Sequence, residues 1–324
     1  MTALQGVVFG ELFNQAIEAV TWPASLRLVI FGQNFNQPID GVSWPTSLKR
    51  LWFGRRFNHP IEGVTWPMSL QWLTFGIDFD QPIEGVKWPT SLQQLELGMT
   101  FNKPIEGVEW PSSLQHISFD KAFNQPIEAV SWPSSLQTLE IGFSFNRPIE
   151  RVTWPASLQK LKFEWEFNLP VAGVAWPTSL RQLTFGYHFN QAINRVTWPP
   201  LLERLTFGHF FNQPIDAVAW PPLLAELSFG DSFNQSLEAV KPLSSLRRLR
   251  LTGSFCQSLQ KLGTVMPALE HFTLLYWCGP PQYEILRGIE WPARLTHLTV
   301  SAGANFEGWT IPDDVLVSYH NCGR

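Results

Sequence analysis

WPTSLQQLELGMTFNKPIEGVE, residues 88–109, is one period of the repeat that decides how this sequence folds. Shifting the window by 22 residues in either direction returns nearly the same letters. Phe101 has counterparts at 13, 35, 57, 79, 123, 145, 167, 189, 211, 233 and 255, with no insertion between them. A Trp-Pro pair keeps the same beat from Trp22-Pro23 to Trp220-Pro221. Beyond that the pattern loosens. Lys241-Pro242-Leu243 takes the place of Trp-Pro, one residue is added before Leu269, and the beat partly returns at Trp291-Pro292. No Gly/Ser linker or charge block interrupts the series. The domain reading is a regular array over 1–256, degenerate turns of the same array over 257–305, a C-terminal cap over 306–324, and no separate second domain.

Within each period the core is Leu92-x-x-Leu95-x-Leu97 or its equivalent, Leu48-x-x-Leu51-x-Phe53. Apolar residues alternating over so few positions indicate a short strand with every second side chain pointing inward. Periods of roughly 20 to 29 residues carrying that spacing belong to leucine-rich solenoids. Gly follows the strand in most turns (Gly32, Gly54, Gly76, Gly98), where a Cβ would hinder a sharp exit. Two prolines in most periods, such as Pro104 and Pro111, interrupt any helix and favour extended backbone and short turns. The expected fold is a horseshoe of about 13 parallel strands on the concave side. Its convex side is Pro-rich, extended or briefly 3₁₀, with little α-helix.

The run Phe35-Asn36-Gln37-Pro38-Ile39, followed by Pro45-x-Ser47-Leu48-x-x-Leu51-x-Phe53-Gly54, resembles the FNIP repeat, a relative of the leucine-rich repeat. Trp stands before Pro where that family often has Leu. The resemblance implies a curved solenoid that serves protein interactions.

A residue that recurs in every turn forms a column along a solenoid, so it builds the frame. The Phe and Trp columns are accordingly read as core. The Asn column (14, 36, 58, 102, 124, 146, 168, 190, 212 and 234) is broken by Asp80, so the oxygen is the part that matters, accepting backbone N–H bonds in the turn. The acidic column from Glu18 to Glu238 includes Ala172 and Asn194 and is read as a solvated or turn-capping face.

Specificity then belongs to the variable positions. Outward strand residues give a first candidate patch, Leu28, Ile30, Arg50, Trp52 and Trp72, with the apolar-plus-Arg composition of an interaction hot spot. Lys160 and Lys162 follow in the middle of the array, and Arg204, Arg248 and Arg250 later, as candidates for an acidic partner. The residues after the post-strand Gly form a rim whose aromatics bunch at Trp165, Tyr187, His188 and Phe210, a second candidate patch. A glycan or small ligand on that rim is the alternative to a protein partner. His271 and His297 share a column but lack a third ligand for a metal, and Cys256 and Cys278 sit in adjoining turns.

Composition narrows the partners further. With 15% charged residues, a formal net charge of −4 and a pI of about 6.0, the chain lacks the basic excess of a nucleic-acid binder. No apolar run is long enough to span a bilayer, and the N-terminus lacks the pattern of a signal peptide. Three cysteines make no disulfide framework, and a reducing setting, cytoplasmic or nuclear, follows. No catalytic constellation, cofactor motif or zinc spacing occurs. The first turn begins without a polar cap, so either self-association covers it or the chain is part of a longer product.

Overall fold

The computed structural model describes residues 4–276, 288–301 and 311–320, which fall into two compact units, Met1–Glu164 and Trp165–Arg324. The first unit holds β1 (Gly6–Val8), β2 (Leu28–Ile30), β3 (Arg50–Trp52), β4 (Trp72–Thr74), β5 (Gln94–Glu96), β6 (His116–Ser118), β7 (Thr138–Ile141) and β8 (Lys160–Phe163). The second holds β9 (Gln182–Thr184), β10 (Arg204–Thr206), β11 (Glu226–Ser228), β12 (Arg248–Gly253), β13 (His271–Tyr276), β14 (His297–Ser301) and β15 (Leu316–His320). One four-residue helix, α1 (Leu262–Val265), is the only helix among the described residues.

Inside each unit every strand pairs in parallel with the next, one 22-residue period away as far as β12: Val29 lies beside Leu51, and Leu51 beside Leu73. The fold is a parallel β-solenoid. It carries β1 and β15 beyond the thirteen strands expected. The described part of the segment expected to form a cap supplies β15, which extends the sheet alongside β14. Cys278, Cys322 and Trp309 lie outside the described residues.

Each strand is short because a turn stands on both sides of it. Leu48 N–H donates to Pro45 C=O before β3, and Phe57 N–H to Gly54 C=O after it. A third turn, Val64 N–H to Ile61 C=O, closes the Pro-rich side. These are single i→i+3 bonds, not 3₁₀ helix: the next N–H turns to the preceding period, Lys49 donating to Arg27 C=O and Asn58 to Asn36 Oδ1.

The inward residue of every strand from β2 to β14 is buried, and the Phe column lies beside it. Phe35, Phe57 and Phe79 are 0% exposed and stack with ring centroids 6.1 and 6.2 Å apart. The Trp column is core as well. Trp44, Trp66 and Trp88 are buried, Trp22 stacks on Trp44 at 5.8 Å, and Trp110 on Trp132 at 6.3 Å. Their indole N–H groups are enclosed without an acceptor.

The glycine that follows most strands is there for a reason the sequence does not state. Its φ is not left-handed at 32, 54, 76 or 98. Instead, a Cβ on Gly54 would overlap the carbonyl oxygen of Gly32, and one on Gly76 that of Gly54. Adjacent turns touch backbone to backbone at this corner.

The polar ladders run between turns. Asn36 N–H donates to Asn14 Oδ1 (2.8 Å), Asn58 N–H to Asn36 Oδ1 (3.0 Å), and so on to Asn146 N–H on Asn124 Oδ1. The second unit repeats this from Asn168 to Cys256, whose N–H ends the series on Asn234 Oδ1. The acceptor role is as expected, but the donor comes from the following turn, not the same one. Ser47 Oγ donates to Leu26 C=O at 2.6 Å, and Ser69, Ser91, Ser113, Ser135 and Ser157 repeat that bond in the first unit.

Candidate functional sites on the variable faces

With the recurrent letters inside the frame, the open face of the sheet and its border carry the differences between turns. In the first unit the register places Leu28 beside Arg50 and Arg50 beside Trp72, with Ile30 beside Trp52. The Arg50 guanidinium lies 5.2 Å from the centroid of the Trp72 ring, and Trp52 meets Trp72 edge-on at 6.1 Å and 71°. Sequence-predicted Arg50, Trp52 and Trp72 are thus one packed cluster. Val8, 69% exposed, extends the apolar column of Ile30 and Trp52 by one turn.

Lys160 and Lys162 are not free charges. Lys160 Nζ binds Glu140 Oε1 at 2.6 Å, and Lys162 Nζ binds Glu164 Oε1 at 2.5 Å. Burial pushes the Glu140 carboxyl up, but the hydrogen bond and charge of Lys160 outweigh it and hold the group below its ordinary value. His116, on the strand next to Glu140 and diagonal to it, is pushed below its ordinary value by burial, against the pull of Glu140 and Glu96.

The second unit holds the rim aromatics, and they form a stack. Trp165 and Tyr187 lie 3.8 Å apart and 4° from parallel; Tyr187 and His209 follow at 4.5 Å and 9°. His209 Nδ1 then meets Asp231 Oδ2 at 2.9 Å. Alongside, His188 and Phe210 pack at 5.1 Å, and Phe210 stands edge-on to Tyr187. A ring stacked on both sides, as Tyr187 is, shows solvent its edge. Sugars and bases bind aromatic faces, so this geometry suits them poorly.

The arginines of the open face are joined through a residue the sequence reading did not single out. Glu226 binds Arg204 at 3.2 Å and Arg248 at 3.0 Å, each one turn away. Arg250 has no carboxylate within 4.0 Å among the described residues. His271 and His297 stack at 4.5 Å; burial first, then His297 and Arg248, hold the His271 ring below its ordinary value. Among the described residues, no three His, Cys, Asp or Glu side chains are grouped as a metal would need. A groove of about 390 Å³ on the Pro-rich side, bordered by Trp132 and Trp154, is lined by residues of the repeated slots.

Comparison with known proteins gives the repeat family and the fold. The FNIP repeat model matches residues 13–56, 57–100 and 101–144. No curated protein matches the chain. Among solved structures, CroV588, described as a novel circular LRR protein, is 33% identical over 98% of this chain, with a TM-score of 0.56. The chain spans 56% of CroV588's length. An internalin from Listeria monocytogenes is 15% identical, with a TM-score of 0.62, over 93% of this chain and 87% of its own. No helix among the described residues is long and apolar enough to cross a membrane.

Proposed function

The chain is an FNIP-repeat solenoid of the leucine-rich-repeat kind, and on that premise we propose that it is a non-catalytic scaffold for recognising another protein, through the open face of its sheet and the adjoining rim. One observation carries this reading. Recurrent residues are consumed by stacking and by turn-to-turn hydrogen bonds, while the variable ones cluster into packed, partly exposed groups of aromatics and arginines. Such clusters on a frame already held rigid bind with little ordering cost. A cytoplasmic setting belongs to the same reading.

The test is capture of a partner by the full chain, followed by hydrogen-exchange mapping of the complex. Protection is expected on the outward residues of the sheet or on the rim from Trp165 to Phe210. Protection confined to the Pro-rich side would overturn the reading. The glycan alternative predicts saturable binding on a glycan array that is lost on Trp165→Ala.

A further inference from the structure

Several cations of this protein find a carboxylate on a neighbouring turn or beside it. Arg181 pairs with Glu203, Arg204 and Arg248 with Glu226, Arg247 with Glu270, and Lys160 with Glu140. Even Asp80, where the Asn ladder carries a charge, is met by Lys103 at 2.8 Å.

The second and third turns gather five cations about their strands. Arg27 and Lys49 stand just before β2 and β3, Arg50 lies on the open face, and Arg55 and Arg56 stand just after β3; all five are exposed. The carboxylates within these turns, Asp40 and Glu62, sit in the Ile39–Val42 and Ile61–Val64 turns of the Pro-rich side; near the strands, Asp78 lies 4.0 Å from Arg55 and Glu11 one turn before Gln33. Arg27, Lys49, Arg50 and Arg56 have no carboxylate within 4.0 Å among the described residues. In a chain of net charge −4 this is a local reversal of sign, surrounding the apolar column of Val8, Ile30 and Trp52.

We propose that this face binds an acidic protein segment that also carries an apolar side chain, the carboxylates lying on Arg50 and its neighbours and the apolar group on Ile30 and Trp52. The proposal deepens the scaffold reading and rests on it. Charge complementarity selects the partner: unpaired guanidinium groups match carboxylates bidentately, and opposite fields speed encounter. A nucleic acid would also answer the charge, but its bases need open ring faces. Here one face of Trp72 is covered by Arg50, and Trp52 meets that ring at 71°.

The experiment uses the full chain and fluorescein-labelled probes read by anisotropy: a short peptide alternating Glu and Leu, its Lys-Leu counterpart, and a single-stranded oligothymidylate. The Glu-Leu peptide is expected to bind and the other two not to. Arg50→Glu and Arg56→Glu should each weaken it about tenfold or more, and raising salt should weaken it steeply, whereas Lys87→Glu on the Pro-rich side should not. Trp52→Ala should also weaken it; because that ring is packed, melting of each variant is followed in parallel. No binding of the Glu-Leu peptide, equal binding of the Lys-Leu peptide, indifference to both arginine reversals, or binding of the oligonucleotide alone overturns the proposal. If the peptide fails while a captured partner still protects the rim of the second unit, the scaffold reading stands and only the acidic ligand is lost.

Discussion

At the scale of single residues, the frame is held by groups that touch their equivalents one period away. Asp80 shows this most clearly. Its Oδ1 accepts Asn102 N–H at 2.9 Å, as an Asn would, and its Oδ2 meets Lys103, which stands where most turns have Gln. In those other turns Gln donates to the same Asn oxygen, as Gln81 does to Asn58 at 2.9 Å. Charge and partner have been exchanged together. Asp80→Ala should therefore cost about 1 kcal/mol, while Asp80→Asn with Lys103→Gln should be nearly neutral. Denaturant unfolding checks this, and equal costs for both variants would contradict the account. Gly76→Ala should be worse, above about 2 kcal/mol, because the added carbon meets backbone that cannot move aside. The letters disclosed that Asn, Gly and Trp columns exist and that an oxygen was the needed part of Asn. They did not disclose that the bond reaches the next turn, since an amide's direction is not encoded in spacing. Nor did they show that glycine is needed for close approach and not for a left-handed backbone.

At the scale of the element, each short strand and its turn repeat one plan, and departures from it are informative. Leu201 and Leu223 occupy the slot that Ser fills in most turns, and they are 36% and 46% exposed. A serine there would reach the carbonyl of Leu180 or Leu202, as Ser157 reaches Leu136. Leu201→Ser and Leu223→Ser should each raise stability by about 0.5–1 kcal/mol, seen as a higher melting temperature. The strands from β6 to β8 carry a pH response. Glu140 has its folded pKa depressed, so its contribution is present above the ordinary 4.5 and is lost as pH falls through the folded value. His116 is also depressed, so the unfolded chain takes up its proton first and stability begins to fall just below 6.5. Acidification should thus weaken the first unit in two stages, and His116→Gln should remove the earlier one from a melting-temperature profile. The sequence placed these side chains on one face, because alternation along a strand is legible. It did not show which lysines would be neutralised, since Glu164 sits in a slot that glycine usually fills.

At the scale of the molecule, the hydrogen bonds between turns join residues about one period apart, so stability within each unit is a sum of neighbouring terms. A defect should spread along the turns next to it before it unfolds everything. Leu95→Ala, a truncation at a 0% exposed position that should cost about 2–5 kcal/mol, is expected to speed hydrogen exchange in β4, β5 and β6 most strongly. Uniform acceleration throughout the first unit would show a more cooperative fold than nearest-neighbour pairing explains. This level was the most legible in the sequence, because a fixed period allows only stacking. The rim was less so. Trp165, Tyr187 and His209 could be seen to fall in successive turns, but not that their faces would close on one another, which turns an inviting stack into a row of edges.

The amide ladder also has a direction. In each unit the oxygen belongs to the earlier turn and the N–H to the later one, from Asn14 to Asn146 and from Asn168 to Cys256. A ribosome delivering about 5–20 residues per second releases one period in about one to four seconds. Every new period thus emerges onto a partner that has already been made, and a nascent chain can set like a coil wound from one end, with no need to wait for its finish.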